Sequence, residues 1–247
     1  MVLDDQCLSD GSYAFDTSKR ISQAGEYRIL AVATLANGRL VGGQAEVRVG
    51  EECQLPDGAV DLAKLKPRPD YEGHLGADYI LDEGTPIVWT CPDAKIIEMR
   101  PVGGYGTMAI KLEICLAVPQ VLEDETQSGS SVSTDKIHII LGHLRPTKES
   151  IANEDAQIRF NEGMLQNDIS YKVGDVIGYG TLLGYVESVA YGGFSNAPHV
   201  HAGAYDAHAI NELAAQNNLW RGTGVSTDSE IRGKFINIES LLQFLRA

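Results

Sequence analysis

The sequence is poor in positive charge: 20 Lys and Arg stand against 34 Asp and Glu in 247 residues, a formal net charge of -14. A basic face is what meets nucleic-acid phosphates, so this balance argues against a nucleic-acid partner and against docking by charge on an anionic membrane. No apolar run approaches the roughly 20 residues that cross a bilayer as a helix, so membrane insertion is not expected. The opening stretch Met1-Val2-Leu3-Asp4-Asp5 lacks the basic and apolar regions of a signal peptide, which leaves an intracellular protein or a chain that begins after a removed segment. Cysteine is scarce, and none of Cys7, Cys53, Cys91 and Cys115 forms a CxxC pair, so a thiolate zinc site of the usual spacing is not expected. The even count fits two disulfides, with Cys7–Cys53 and Cys91–Cys115 as the sequence-local pairing, or four unrelated buried thiols.

Against these absences, 43% of the residues are hydrophobic, enough for a real core, and 26 glycines punctuate short apolar runs. That pattern predicts a mainly β protein. Glu26 to Thr34 and Arg39 to Val49 read as a hairpin around Asn37-Gly38, both residues tolerating positive φ. With Ala24-Gly25 before it, this stretch resembles the closing strands of bacterial immunoglobulin-like modules, over too few residues for a whole sandwich. The prolines and charges of 54–70 suggest a linker. The expected organisation is therefore an N-terminal β unit at 1–53, a linker at 54–70 and a second domain at 71–247. Strands are predicted near Ile87-Thr90, Lys95-Met99, Met108-Ile114, Ile137-Leu141 and Val173-Gly180. A loop is expected from Glu123 to Asp135, a long insertion or lid at 145–170, and helical structure at 207–219. Ile238, Leu241, Leu242 and Leu245 carry the i, i+3, i+4, i+7 stripe of a closing helix.

The six histidines carry the chemistry. In Pro198-His199-Val200-His201, two imidazoles on a strand would project from one face. In Gly73-His74-Leu75-Gly76-Ala77-Asp78 a histidine and a carboxylate four apart can converge through a turn. His143 follows an apolar strand in Leu141-Gly142-His143-Leu144. A catalytic zinc takes three protein ligands from His, Asp or Glu and leaves its fourth position open. His74, Asp78 and one histidine of the pair satisfy that count, and the other histidines can flank the metal. His138 falls mid-strand at an odd offset from His143 and reads as structural, and His208 as a surface residue. Tyr105, Tyr191 and Phe194 could line a groove or simply pack.

The ordered set His74-Leu75-Gly76-Ala77-Asp78, Gly142-His143-Leu144 and His199-Val200-His201 resembles the LytM/lysostaphin-type (M23) zinc metalloendopeptidases. Val173-Gly174-Asp175-Val176-Ile177-Gly178 and Ser195-Asn196-Ala197-Pro198 resemble the family's approaches to its site, and the likeness spans about residues 71–205. It implies a curled antiparallel sheet related to lipoyl-type barrels, Zn2+ held by His74, Asp78 and His201, and His143 and His199 as catalytic residues. It implies the peptide part of peptidoglycan as substrate, and a cell-envelope or secreted location. Two features depart from the family pattern: the length of 145–170 and the wording of Gly192-Gly193-Phe194-Ser195-Asn196.

On this reading a neutral imidazole of His143 or His199 accepts a proton from water and the other donates to the developing oxyanion, the order being open. No HExxH is present, so the helix-borne Glu base of other metallopeptidases is absent. Two other readings compete. One is a catalytically silent zinc-binding scaffold that regulates another cell-wall hydrolase. The other is a purely structural β protein, which predicts no stoichiometric zinc.

Overall fold

The computed structural model describes the backbone of residues 5–7, 13–15, 25–34, 40–49 and 224–225. It describes residues 55–68, 73–100, 108–126, 129–148, 169, 171–190, 196–209 and 228–246 in fuller detail. The chain divides into two compact units, Met1–Gln54 and Leu55–Ala247. The first contains β1 (Asp5–Cys7) paired with β2 (Tyr13–Phe15), and β3 (Gly25–Thr34) paired antiparallel with β4 (Leu40–Val49) from Gly25↔Val49 to Thr34↔Leu40. The Asn37-Gly38 turn lies outside the described residues.

The second unit is mainly antiparallel β, as the sequence predicts. Its strands are β5 (His74–Leu75), β6 (Ala77–Ile80), β7 (Pro86–Val88), β8 (Ala94–Arg100), β9 (Met108–Glu123), β10 (Ser131–Arg145), β11 (Val176–Ile177), β12 (Leu182–Val186), β13 (His199–Asp206), β14 (Gly224–Val225) and β15 (Phe235–Ile236). Nine of them form one sheet in the order β11-β8-β9-β10-β12-β7, with β13 joined to β10 on one side and to β6 and β15 on the other. The remaining pair, β5 and β14, forms a small ribbon. Among the described residues no helix is long and apolar enough to cross a membrane.

The placement of β13 follows from its sequence. A strand with neighbours on both edges and cover on both faces must be apolar at nearly every position, and all of His199–Tyr205 is buried. Val200, Ala202 and Ala204 join the main core with Ile87, Ile96, Leu112, Ile139 and Leu141. The alternate face carries His199 and His201 and, further along, Tyr205, which packs with Leu75, Ile140 and Phe235. The helix Ile238–Arg246 closes the core with Ile238, Leu241, Leu242 and Leu245 buried.

Several expectations need correction. Residues 55–68 are not a linker but part of the second unit. Leu62 is buried in the core, Val60 bridges to Ile87, and Asp61 accepts from Thr90 Oγ1 at 2.7 Å and meets Arg246 Nη1 at 3.1 Å. The expected loop Glu123–Asp135 shrinks to the residues between β9 and β10, because β10 begins in the polar stretch Ser131 to Lys136, ahead of its apolar run. Leu122 pairs with Val132 and both are buried. Pro119, which lacks a ladder donor, is absorbed in a register shift between Gln120↔Thr134 and Cys115↔Lys136. Cys91 is buried, Cys115 is exposed, and no disulfide joins them; burial in the core, not cross-linking, accounts for Cys91. Most of 145–170 and of 207–219, with Tyr105, Tyr191 and Phe194, lies outside the described residues. Of those segments, Arg145 ends β10, Ile169 is buried in the core, and Ala207–Ala209 form a turn.

Candidate metal centre

The site is built from four strands, β5, β6, β10 and β13. In the β6·β13 ladder Asp78 stands directly opposite His201, and His199 opposite Ile80. Directly opposed residues share a face, and Asp78 Oδ1 lies 2.9 Å from His201 Nδ1. His74 reaches the same place because Gly76, at φ +99°, kinks the chain between β5 and β6. A Cβ there would lie 2.4 Å from the Ala202 carbonyl oxygen and 3.0 Å from His201 Nε2, so only glycine fits. The kink brings His74 Nε2 to 3.6 Å from Asp78 Oδ1 and its ring centroid to 5.0 Å from that of His201.

On the other side of β13, β10 pairs Gly142 with His201. Just beyond, the β9·β10 register jumps between Leu141 and Leu144. His143 sits in this irregularity at φ +59°, left-handed backbone that a non-glycine residue adopts at a cost of order 1 kcal/mol or more. The Glu187 N–H donates to its carbonyl at 2.9 Å and pins the turn. The result is that the His143 ring lies 4.2 Å from the His199 ring, centroid to centroid, tilted by 49°. His199 in turn places Nε2 3.6 Å from Asp78 Oδ1. Its Nδ1 lies 2.8 Å from the Ala197 carbonyl oxygen. A carbonyl only accepts, so Nδ1 carries the proton in the neutral ring and Nε2 presents a lone pair toward the site.

All five predicted site residues are therefore side by side, and all are buried. His138 is elsewhere: its Nε2 lies 3.2 Å from Glu113 Oε2 and its ring meets Tyr205 edge-on. His208 pairs with Asp135 at the surface.

His74, Asp78 and His201 each offer a ligand atom, all within 4.8 Å of one another. Zinc bonds of about 2.0–2.1 Å in a tetrahedral shell put ligand atoms about 3.3–3.5 Å apart. The 3.6 Å and 2.9 Å separations on Asp78 Oδ1 are within a few tenths of an ångström of that. The protonation states suit a cation as well. Burial alone would raise the Asp78 carboxyl, but the His201 hydrogen bond and the neighbouring imidazoles outweigh it and hold the group at about 2. Burial pushes the His201 imidazole below its ordinary value, more than its bond to Asp78 restores. For Asp78 and His201 these directions favour the ionised carboxylate and the neutral imidazole that a metal binds.

Two further side chains support His74 and Asp78, and neither is legible in the sequence. Arg68, in the stretch taken for a linker, donates its backbone N–H to the Asp78 carbonyl at 2.8 Å and Nη2 to Asp78 Oδ2 at 3.3 Å. Arg232 donates Nη1 to the His74 carbonyl at 3.1 Å and Nη2 to that of Glu125, while β14 pairs Val225 with His74. Both contacts join residues whose closeness only the fold creates.

No family model matches the sequence, and no curated protein matches it. Among solved structures the chain is similar to lysostaphin, with 17% identity and a TM-score of 0.34, over 69% of this chain and 43% of that one. It is also similar to CbpA from L. salivarius REN, with 12% identity and a TM-score of 0.33, over 70% of this chain and 75% of that one. The chain thus spans less than half the length of the lysostaphin structure.

Proposed function

We propose that the chain is a zinc-dependent endopeptidase, with His74, Asp78 and His201 holding the metal and His143 and His199 acting on the substrate. One observation carries the reading: two buried imidazoles in contact, those of His143 and His199, adjoin a buried His-Asp-His group whose spacing fits a zinc ion. A zinc ion there would supply a Lewis acid that polarises a carbonyl and lowers the pKa of water. His199 Nε2, its tautomer fixed by the Ala197 carbonyl, is placed to accept a proton. His143, held in its strained turn, would then donate a hydrogen bond where negative charge develops. Burial of both rings excludes competing water and strengthens these interactions. The ordered motifs further support the peptide part of peptidoglycan as the substrate class, and an envelope or secreted setting for the protein.

The test is the zinc content of the purified protein together with hydrolysis of peptidoglycan by it and two variants. Wild type is expected to hold one zinc per chain and to cleave. His201→Ala should lose zinc and cleavage together. His143→Ala should keep zinc and lose activity by about 10²–10³-fold, the usual cost of one oxyanion donor. A wild-type protein that takes up no zinc after reloading would overturn the reading. One that binds zinc but cleaves no peptidoglycan would be the silent scaffold instead.

A further inference from the structure

We infer that Arg68 is a positioning residue for the metal: it holds the Asp78 carboxylate so that Oδ1 alone faces the ion. The inference rests on the zinc reading and adds a residue to it. Asp78 has two oxygens with separate duties. Oδ1 faces His74 Nε2, His199 Nε2 and His201 Nδ1, at 3.6, 3.6 and 2.9 Å. Oδ2 faces the Arg68 guanidinium at 3.3 Å. The grip is double, because the backbone N–H of Arg68 also holds the backbone carbonyl of the same aspartate at 2.8 Å. A carboxylate on two rotatable bonds can swing to present either oxygen, or both. A guanidinium on one oxygen, anchored to the same residue through the main chain, removes that freedom. The planar guanidinium is suited to the task in a way an ammonium is not.

Two opposing effects decide the sign. The guanidinium repels the cation, which would weaken metal binding. Its side chain is 42% exposed, however, so water and salt screen that repulsion. The orientation it imposes is not screened. Loss of Arg68 should therefore cost metal affinity through lost orientation, as loss of a ligand's hydrogen-bond partner does at other zinc sites.

The experiment is a double-mutant cycle on the full chain, read as zinc affinity by competition with a chromophoric chelator. Arg68→Met keeps the apolar stem and removes the donors; Arg68→Lys keeps a charge and one point of contact. Relative to wild type, Arg68→Met is expected to weaken zinc binding about tenfold or more, and Arg68→Lys to recover only part of the loss. Placed on Asp78→Asn, which takes away the carboxylate that Arg68 grips, Arg68→Met should change affinity by less than about twofold, since the two act as one unit. The visible spectrum of the cobalt-loaded protein should differ between wild type and Arg68→Met, as a freed carboxylate lends its second oxygen to the ion. Unchanged zinc affinity in Arg68→Met, including a case where only KM for the substrate rises, would overturn the inference. So would an equal loss in both backgrounds, because a general loss of folding does not depend on Asp78. Failure of the proposed function is a separate result: the wild-type protein itself would bind no zinc.

Discussion

At the scale of single residues, the site depends as much on a missing side chain as on those present. Gly76 separates His74 from Asp78 at φ +99°, with the Ala202 carbonyl where a Cβ would go. Gly76→Ala combines left-handed strain with a backbone clash, and costs about 2–4 kcal/mol if the two terms are summed. Its relief would push β5 away from β13. The expected outcome is a lower thermal midpoint together with loss of zinc binding, measured by calorimetry and zinc titration; a variant that bound zinc like wild type would show the kink to be dispensable. This is also where the sequence is most informative. His74 with Asp78, and His199 with His201, are legible as two pairs, because a four-residue turn joins the first and an alternating strand the second; that the pairs meet depends on the β6·β13 ladder, which the sequence pointed to only through the resemblance. His143 required the resemblance, for its approach depends on a register jump between β9 and β10. Arg68 and Arg232 leave no sequence signal at all, since each acts on a ligand residue through a contact set by tertiary packing.

Among the elements, the β9–β10 hairpin shows how a strand outruns its apolar run. The sequence places strands at Met108-Ile114 and Ile137-Leu141, where every residue has packing cover. The extension to Glu123 and back from Ser131 is only half covered: Leu122 and Val132 are buried, Val121 is exposed, and the β10 side is mostly polar from Ser131 to Lys136. Asp124 closes the tip, accepting from Thr126 through both its N–H and its hydroxyl at 2.9 and 2.5 Å, and from Ser130 Oγ at 2.8 Å. Burial would raise this carboxyl, but the hydrogen bonds from Thr126 and Ser130 and the charge of Arg232 prevail and lower it below 3.8. A depressed folded-state pKa means that protons prefer the unfolded chain. The stabilisation is therefore complete above about pH 4 and is lost as pH falls through the lowered value. Asp124→Asn should lower stability near neutrality and flatten its decline below about pH 4, as read from denaturant midpoints across pH. A variant with the wild-type slope would remove Asp124 from the account.

On the scale of the whole molecule, composition led to the right class, a β protein with a core, but not to where its second unit begins. Prolines and charges at 54–70 have the texture of a linker, and the sequence shows nothing of the partners that residues 55–68 find. Leu62 enters the core, Val60 bridges to Ile87, Asp61 ties Thr90 to Arg246 of the closing helix, and Arg68 grips Asp78. Two truncations separate the readings. A chain of residues 55–247 retains the core and all five histidine and aspartate positions of the site, and should unfold cooperatively and bind zinc with the affinity of the full chain. A chain of residues 71–247 begins where the sequence alone would place the domain. It loses the Leu62 side chain, worth about 2–5 kcal/mol by analogy with large-to-small core substitutions, and leaves Arg246 near the hole Asp61 vacates. Against a total stability of about 5–15 kcal/mol, that loss should lower the midpoint markedly. Zinc affinity should fall with it, because Arg68 is gone. Equal stability and equal zinc affinity in the two truncations would make 55–70 a connector after all.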